Sequence, residues 1–94
     1  MKYLMNVVIE SPTKDKEETL SLRCCFTRDE EGYGKKTWLS IYGNHGFEQY
    51  LDLRYDEDYH RGKEKEYLEY WANNYWTGKN GAWEIKSLNI MEVE

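Results

Sequence analysis

The sequence contains no long hydrophobic segment. Its first apolar run, from Tyr3 to Ile9, is short and is interrupted by Asn6, whereas a membrane-spanning helix requires about 20 consecutive apolar residues. The same run has no small-residue cleavage site of the kind that follows a secretory signal peptide. We therefore expect no membrane segment, no signal peptide and a cytoplasmic location.

Cysteine is scarce too. The two cysteines, Cys24 and Cys25, are adjacent, and neighbouring strand residues point to opposite faces, so we expect no disulfide between them. Two free thiols are typical of a reducing compartment. Adjacent cysteines also lack the intervening residues that separate the paired cysteines of structural zinc sites. We therefore predict no metal and no cofactor.

The sequence also lacks a basic patch. The net charge is −5, and the positive residues occur in short clusters with acidic residues beside them. A protein that binds nucleic acid through its phosphates needs a concentration of positive charge. The composition therefore argues against direct nucleic-acid binding, and it is compatible with a basic protein as partner.

Aromatic residues take the place of the scarce aliphatic ones. The 94 residues include nine tyrosines and four tryptophans. Each large ring buries roughly 150–250 Å², so a few of them are enough for a compact core. We expect the remaining rings to lie on the surface. A chain of this length is predicted to form a single domain over residues 1–94.

Residues 61–76 form the only segment with clear helical periodicity. Its apolar residues recur at i, i+3, i+4 and i+7 and share one face: Leu68, Trp71, Ala72 and Tyr75. Asp56 or Asp58 is predicted to cap the start of this helix, where acidic side chains also favour the positive end of the helix dipole.

Five other segments alternate as half-buried strands do. Their predicted bounds are 2–10, 19–27, 37–42, 47–55 and 82–93. Asn44 and Gly46 predict a tight turn, since both residue types accept positive φ. The last strand needs either a bulge near Lys86 and Ser87 or burial on both faces to account for its apolar pattern.

The element order is therefore β-β-β-β-α-β. It predicts an α+β fold in which four strands form an antiparallel β-meander and one helix packs on one face of it. A fifth strand follows the helix, and we expect it to pair beside the first strand.

Candidates for catalysis are few. His45 falls in the predicted turn and His60 in the charged run before the helix, and both are expected to be surface histidines. Cys25 paired with a histidine could serve as a nucleophile, but only the residue types support that interpretation. We predict no catalytic residues and no enzymatic activity, and an enzyme that uses Cys25 or His45 is the third of our hypotheses.

Three aromatic residues, Trp38, Tyr42 and Tyr50, are predicted on the sheet face opposite the helix. Four charged residues should share that face: Arg23, Glu48, Asp52 and Arg54. Tyrosine, tryptophan and arginine are enriched at interface hot spots, so the face is predicted to bind a protein. Stacking of single-stranded nucleic acid is a second interpretation, which the two acids oppose. Alternatively, a loop, the chain end or the second copy in a homodimer covers the rings.

A second candidate surface is acidic and rich in tyrosine. Acidic residues outnumber basic ones between Glu48 and Glu69. The residues predicted to contact a partner there are Asp56, Glu57, Asp58, Tyr59, Tyr67 and Tyr70. Carboxylates in such a surface can stand where phosphates would, as in inhibitors that mimic nucleic acid. The alternative is an ordinary solvated helix face on which Glu64, Glu66 and Glu69 are balanced by neighbouring lysines.

Two functional hypotheses lead. The first is a non-enzymatic module that binds and inhibits a larger, basic protein. Its size, acidity and lack of a catalytic set are shared by small phage-encoded anti-defence proteins and bacterial immunity proteins, a similarity of class without a motif. The second is a small-ligand-binding domain with a pocket between helix and sheet, lined by Trp71, Tyr75 and Trp83.

Overall fold

The structure is a computed structural model that describes residues 1–29, 36–53, 57–79 and 82–93. These residues form five strands and two helices. The strands are β1 (Lys2–Glu10), β2 (Glu17–Asp29), β3 (Lys36–Gly43), β4 (Glu48–Asp52) and β5 (Glu84–Val93). The helices are α1 (Glu57–His60) and α2 (Glu64–Asn74), which a π-helical turn (Tyr75–Lys79) extends. The predicted α+β class is confirmed.

The strands form one antiparallel sheet in the order β4-β3-β2-β1-β5. Strand β1 pairs with β2 on one side and with β5 on the other, so Met5 lies between Leu22 and Ile90. Strands β1 to β4 form the predicted antiparallel meander. The fifth strand lies beside the first, as the sequence predicts.

A bulge in β5 keeps its apolar residues on the helix side of the sheet. Val8 pairs with Ser87 whereas Ile9 pairs with Ile85, so Lys86 is the extra residue of β5. Because side chains alternate along a strand, one extra residue reverses the parity of everything beyond it. Of the two alternatives that the sequence left open for this strand, the structure therefore has the bulge near Lys86 and Ser87.

One face of the sheet and one face of α2 make the core. The buried residues of the strands are Tyr3, Met5, Val7, Ile9, Leu20, Leu22, Cys24, Phe26, Leu39, Ile41 and Ile90. From the helix side, Leu68, Trp71 and Ala72 are buried as predicted, Tyr75 is half-buried, and Trp76 in the π-helical turn is buried as well. Each large apolar side chain buried in full contributes roughly 1.5–3 kcal/mol, so these contacts hold α2 on the sheet.

Helix α2 begins later than predicted. Gly62 has a φ of 76°, a left-handed conformation that interrupts the helical segment between α1 and α2. The N-cap position is Lys63, whose side chain makes no capping hydrogen bond, so the predicted cap by Asp58 is wrong. Asp56 lies outside the described residues. Neither of the described helices is both long enough and apolar enough to traverse a bilayer.

His60 is fully buried, contrary to the predicted surface position. Its Nε2 lies 3.1 Å from the carbonyl oxygen of Leu53. Because a carbonyl oxygen only accepts, Nε2 carries the proton and donates it. The imidazole stacks on Phe26 with ring centroids 6.3 Å apart. Phe26 is remote in the sequence, so no local pattern around His60 indicates this environment.

Glu64 is also buried, with only 3% of its surface exposed, so its predicted position on a solvated helix face is wrong. Its Oε1 accepts hydrogen bonds from the Arg28 guanidinium at 2.9 Å and from the Gly62 amide at 3.2 Å. The ion pair joins the first turn of α2 to the end of β2. It fixes where α2 sits along the sheet.

The turn between β3 and β4 differs in detail from the prediction. Positive φ occurs at His45 (60°) and Gly46 (75°) rather than at Asn44. Instead, the Asn44 side chain accepts a hydrogen bond from the Ser21 amide at 3.1 Å and donates one to the Thr19 carbonyl at 3.3 Å. Asn44 thereby ties the turn to the edge of β2 that extends beyond β3.

The buried carboxylate makes folding stability depend on pH. Burial by itself raises the pKa of Glu64, but hydrogen bonds from its own backbone amide, from Arg28 and from Gly62 lower that pKa below the ordinary 4.5. A carboxyl whose pKa is lowered by folding stabilises the protein fully above its unfolded-state pKa, and that stabilisation is lost as the pH falls through the folded-state pKa.

We therefore predict that Glu64→Gln lowers the free energy of unfolding at pH 7 by about 1–3 kcal/mol. Its stability should also fall less steeply than that of the wild type as the pH drops below 4.5. Urea denaturation at a series of pH values measures both effects. Glu66→Gln, an exposed change on the same helix, is the control, and equal behaviour of the two variants contradicts the assigned role of Glu64.

Gly43 is required by close packing at the end of β3. A Cβ atom added there would overlap Cδ2 of Leu22 and would lie 3.2 Å from the Ser21 carbonyl oxygen. Since overpacking of a filled core costs about 1–3 kcal/mol, Gly43→Ala should lower the free energy of unfolding by that amount. Gly78→Ala, whose Cβ meets no atom within 4 Å, should change it by about 1 kcal/mol at most. Urea denaturation measures both changes. Equal losses of unfolding free energy in the two variants would contradict the assigned packing role of Gly43.

Candidate functional site

One face of the sheet is left uncovered by α2, and we call it the open face. Strand register places these residues on it: Lys2, Leu4, Arg23, Cys25, Trp38, Tyr42, Glu48, Tyr50, Asp52, Met91 and Val93. The three aromatic residues predicted there are 40%, 44% and 59% exposed, in the order Trp38, Tyr42 and Tyr50. The structure brings all three together on β3 and β4.

Tyr42 and Tyr50 are held against each other. Tyr50 pairs with Ser40 while Tyr42 pairs with Glu48, so the two tyrosines are diagonal neighbours. Their hydroxyls are hydrogen-bonded and their rings meet edge to face, with centroids 5.7 Å apart. Two hydrogen bonds raise the pKa of Tyr50 above its ordinary value. The bond with Tyr42 has the larger effect, and the bond with the Glu48 carboxylate has the next largest. Rings ordered in advance lose little side-chain freedom when a partner binds.

A concavity of about 470 Å³ lies beside these rings on the open face. The open-face residues that line it are Lys2, Leu4, Arg23, Cys25, Tyr42 and Val93. It joins two cationic side chains from β1 and β2 to an apolar floor. Such a site can receive a large ring from another molecule.

The two cysteines face opposite sides of the sheet and are both free. Cys24 belongs to the core, and burial raises its thiol pKa to about 12. Cys25 is half-buried on the open face, and its Sγ lies 3.8 Å from Oγ1 of Thr27. Only Cys25 is therefore placed to report on access to the open face.

The helix side of the molecule carries a cluster of tyrosines, which we call the Tyr surface. It consists of Tyr59, Glu66, Tyr67 and Tyr70, which line a concavity of about 490 Å³. Tyr59 and Tyr70 are 73% and 65% exposed, and the Tyr67 and Tyr70 ring centroids lie 6.4 Å apart. The three predicted tyrosines are thus brought together. Asp56 lies outside the described residues, as do the side chains of Glu57 and Asp58.

The open face and the Tyr surface lie on opposite sides of the sheet. Helix α2 packs on the face that carries Met5, Leu22 and Ile41, whereas Tyr42 and Tyr50 project from the other face. The two predicted surfaces therefore do not form one contiguous patch.

The third predicted site, between helix and sheet, is partly filled by its own side chains. Trp71 is buried and stacks on Tyr75 with ring centroids 5.1 Å apart. A groove of about 280 Å³ lies next to them, and we call it the aromatic groove. Its lining consists of Ile9, Glu18, Leu20, Asn44, His45, Phe47, Tyr75, Trp76 and Trp83. The structure thus brings Tyr75 and Trp83 together at the groove and leaves Trp71 in the core.

Some further residues of these surfaces can be placed by local spacing in the sequence. Glu66 and Tyr70 are four positions apart on α2 (i and i+4), so helical spacing alone places them side by side. Lys2 and Leu4 share a strand parity with each other, which puts both on the open face. His45 and Glu18 reach the aromatic groove only through tertiary contacts, for which the sequence contains no signal.

Within the part of the chain that the structure describes, no group of three or more His, Cys, Asp and Glu side chains is arranged to hold a metal ion. Comparison of the chain with protein-family models, with curated proteins and with solved structures gives no match.

Proposed function

We propose that this protein is a non-enzymatic binding module that inhibits a larger, basic protein through its Tyr surface. The observation that carries the proposal is the exposure of Tyr59 and Tyr70 beside Glu66 around a concavity on the helix side. Tyrosine combines a large contact area with a hydroxyl that binds polar groups, and it recurs among the residues that dominate binding energy.

Charge supports the same assignment. Glu66 and the neighbouring Glu69 are exposed, and the whole chain has a net charge of −5. Exposed carboxylates and a negative net charge attract a basic partner over a distance of about 10 Å at moderate salt and speed its approach. We therefore propose that the partner is a nucleic-acid-binding protein whose basic groove the Tyr surface occupies, as a cytoplasmic anti-defence protein would do.

The experiment begins with the full chain immobilised, and mass spectrometry identifies proteins retained from a lysate of the native host. Glu66→Lys combined with Glu69→Lys should slow association with the retained protein about tenfold at low salt, and the difference should shrink at high salt because exposed charges are screened. Tyr59→Ala combined with Tyr70→Ala should speed dissociation about tenfold or more, since contact residues act mainly on the dissociation rate.

The matched control is Glu17→Lys combined with Glu84→Lys, an equal charge change on exposed residues outside the Tyr surface. It should leave the association rate within about twofold of the wild type. Equal slowing by both pairs of charge changes, or unchanged dissociation of the tyrosine variant, contradicts the proposal. Failure of the partner's nucleic acid to compete with the protein contradicts the mimicry.

The aromatic groove supports a second candidate function, the binding of a small ligand. Its volume of about 280 Å³ is close to the lower end of the range for ligand sites. Its walls include Tyr75 and Trp83, both half-buried, and polar groups of Glu18 and His45 lie at its rim. An apolar groove with a few polar groups is the usual form of such a site.

A thermal-shift screen with metabolites tests this second function. A ligand present at a hundred times its Kd stabilises the folded protein by about 2.7 kcal/mol, which raises the midpoint of unfolding by several degrees. Trp83→Ala should abolish that shift, whereas Trp38→Ala on the open face should preserve it. A screen without any shift, or a shift that survives Trp83→Ala, argues against a ligand in the aromatic groove.

A further inference from the structure

The open face carries a group of large apolar side chains that the described chain leaves exposed. Most of the exposed large apolar residues of the described chain belong to it: Trp38, Tyr42, Tyr50, Met91 and Val93. Contiguous apolar patches on soluble proteins mark interaction sites far more often than they remain bare. The charges and shape of the face indicate what covers it.

The open face divides into two unlike halves. Strands β3 and β4 provide an aromatic half, which also contains the acidic Glu48 and Asp52. Strands β1 and β2 provide a half whose end next to these rings is cationic: it contains Lys2 and Arg23 together with Leu4 and the concavity of about 470 Å³. Glu10 and Glu17 lie at the far end of the same two strands. Glu48 and Asp52 lie beside the aromatic rings, whereas Lys2 and Arg23 line the concavity.

These halves complement each other about a two-fold axis. Consider a two-fold axis that is parallel to the strands and runs between β2 and β3. It places β3 of one copy over β2 of the second copy, and β4 of the first copy over β1 of the second. Tyr50, Ser40, Cys25 and Lys2 lie in one row across the strands, so Tyr50 of each copy comes over the concavity of the other. The contact repeats itself in both directions, as a two-fold dimer interface must.

The charges agree with the same arrangement. Glu48, Tyr42 and Arg23 also lie in one row, so Arg23 of the second copy reaches the Tyr42 ring and the neighbouring Glu48 carboxylate. A guanidinium makes a favourable cation–π interaction with an aromatic ring below it and a charge-assisted hydrogen bond with a neighbouring carboxylate. An axis along β2 would cover more strands, but it would bring Arg23 onto Arg23 of the second copy.

We propose that the open face is the interface of a homodimer in which the two sheets pack face to face. Four strands of each copy, β1 to β4, overlap in this arrangement. The dimer does not depend on the function proposed above, because the Tyr surface of each copy lies on the other side of its sheet.

Sedimentation equilibrium of the full chain at a series of concentrations tests the proposal. The wild type should show twice the mass of one chain. Arg23→Glu and Glu48→Arg, each alone, should raise the dimer dissociation constant at least about tenfold, because each places like charges together. The two changes combined should return that constant to within about threefold of the wild type, because the pair is restored with its signs exchanged.

Lys65→Glu on the exposed side of α2 is the matched control and should leave the dissociation constant unchanged. Circular dichroism confirms that each variant is folded. As an independent readout, labelling of Cys25 by a thiol reagent should slow as the wild-type concentration rises, but not in Arg23→Glu. A single-chain mass at every concentration, a combined variant that stays dissociated, or a dimer that Lys65→Glu disrupts would overturn the proposal.

Discussion

Side-chain alternation in the sheet is the constraint on which this structure depends. Because successive residues of a strand point to opposite faces, every side chain of the five strands is assigned either to the helix side or to the open face. The bulge at Lys86 keeps β5 in step with β1. Once α2 packs over one face, Tyr42 and Tyr50 are left on the other, so the surfaces that can bind partners follow from the same alternation that builds the core.

Two polar contacts, one made by Glu64 of α2 and one by His60 of α1, orient the helical segment on that face. The apolar contacts of Leu68 and Trp71 are non-directional and would tolerate some sliding of the helix. The Arg28–Glu64 ion pair and the hydrogen bond from His60 to the Leu53 carbonyl are directional. Both cluster at one end of the helix, next to the Tyr surface. The position of Tyr59 and Tyr70 in space is therefore coupled to these contacts, and a function that uses the Tyr surface depends on them.

The two proposals combine without conflict. In a face-to-face dimer the helices lie on the outside, so the two Tyr surfaces point away from each other. Such a particle is bivalent, and binding at one Tyr surface raises the effective concentration of the other near a second basic site. Dimerisation also removes the exposed rings of Trp38, Tyr42 and Tyr50 from water. The exposed carboxylates of Glu66 and Glu69 then remain on the outer surfaces that would meet the partner.

Much of this molecule was determined by the sequence alone: the strand parities, the α+β class, and the placement of Tyr42 and Tyr50 away from the helix. All of these arise from neighbours in the chain, through alternation and periodicity. Only the tertiary structure decided that His60 and Glu64 are buried, that α2 begins after Gly62, and that the Tyr surface and the open face are separate. The physical reason is that burial of a polar group requires partners such as Phe26 and Arg28, which lie far away in the sequence and come close only when the sheet and helix are assembled.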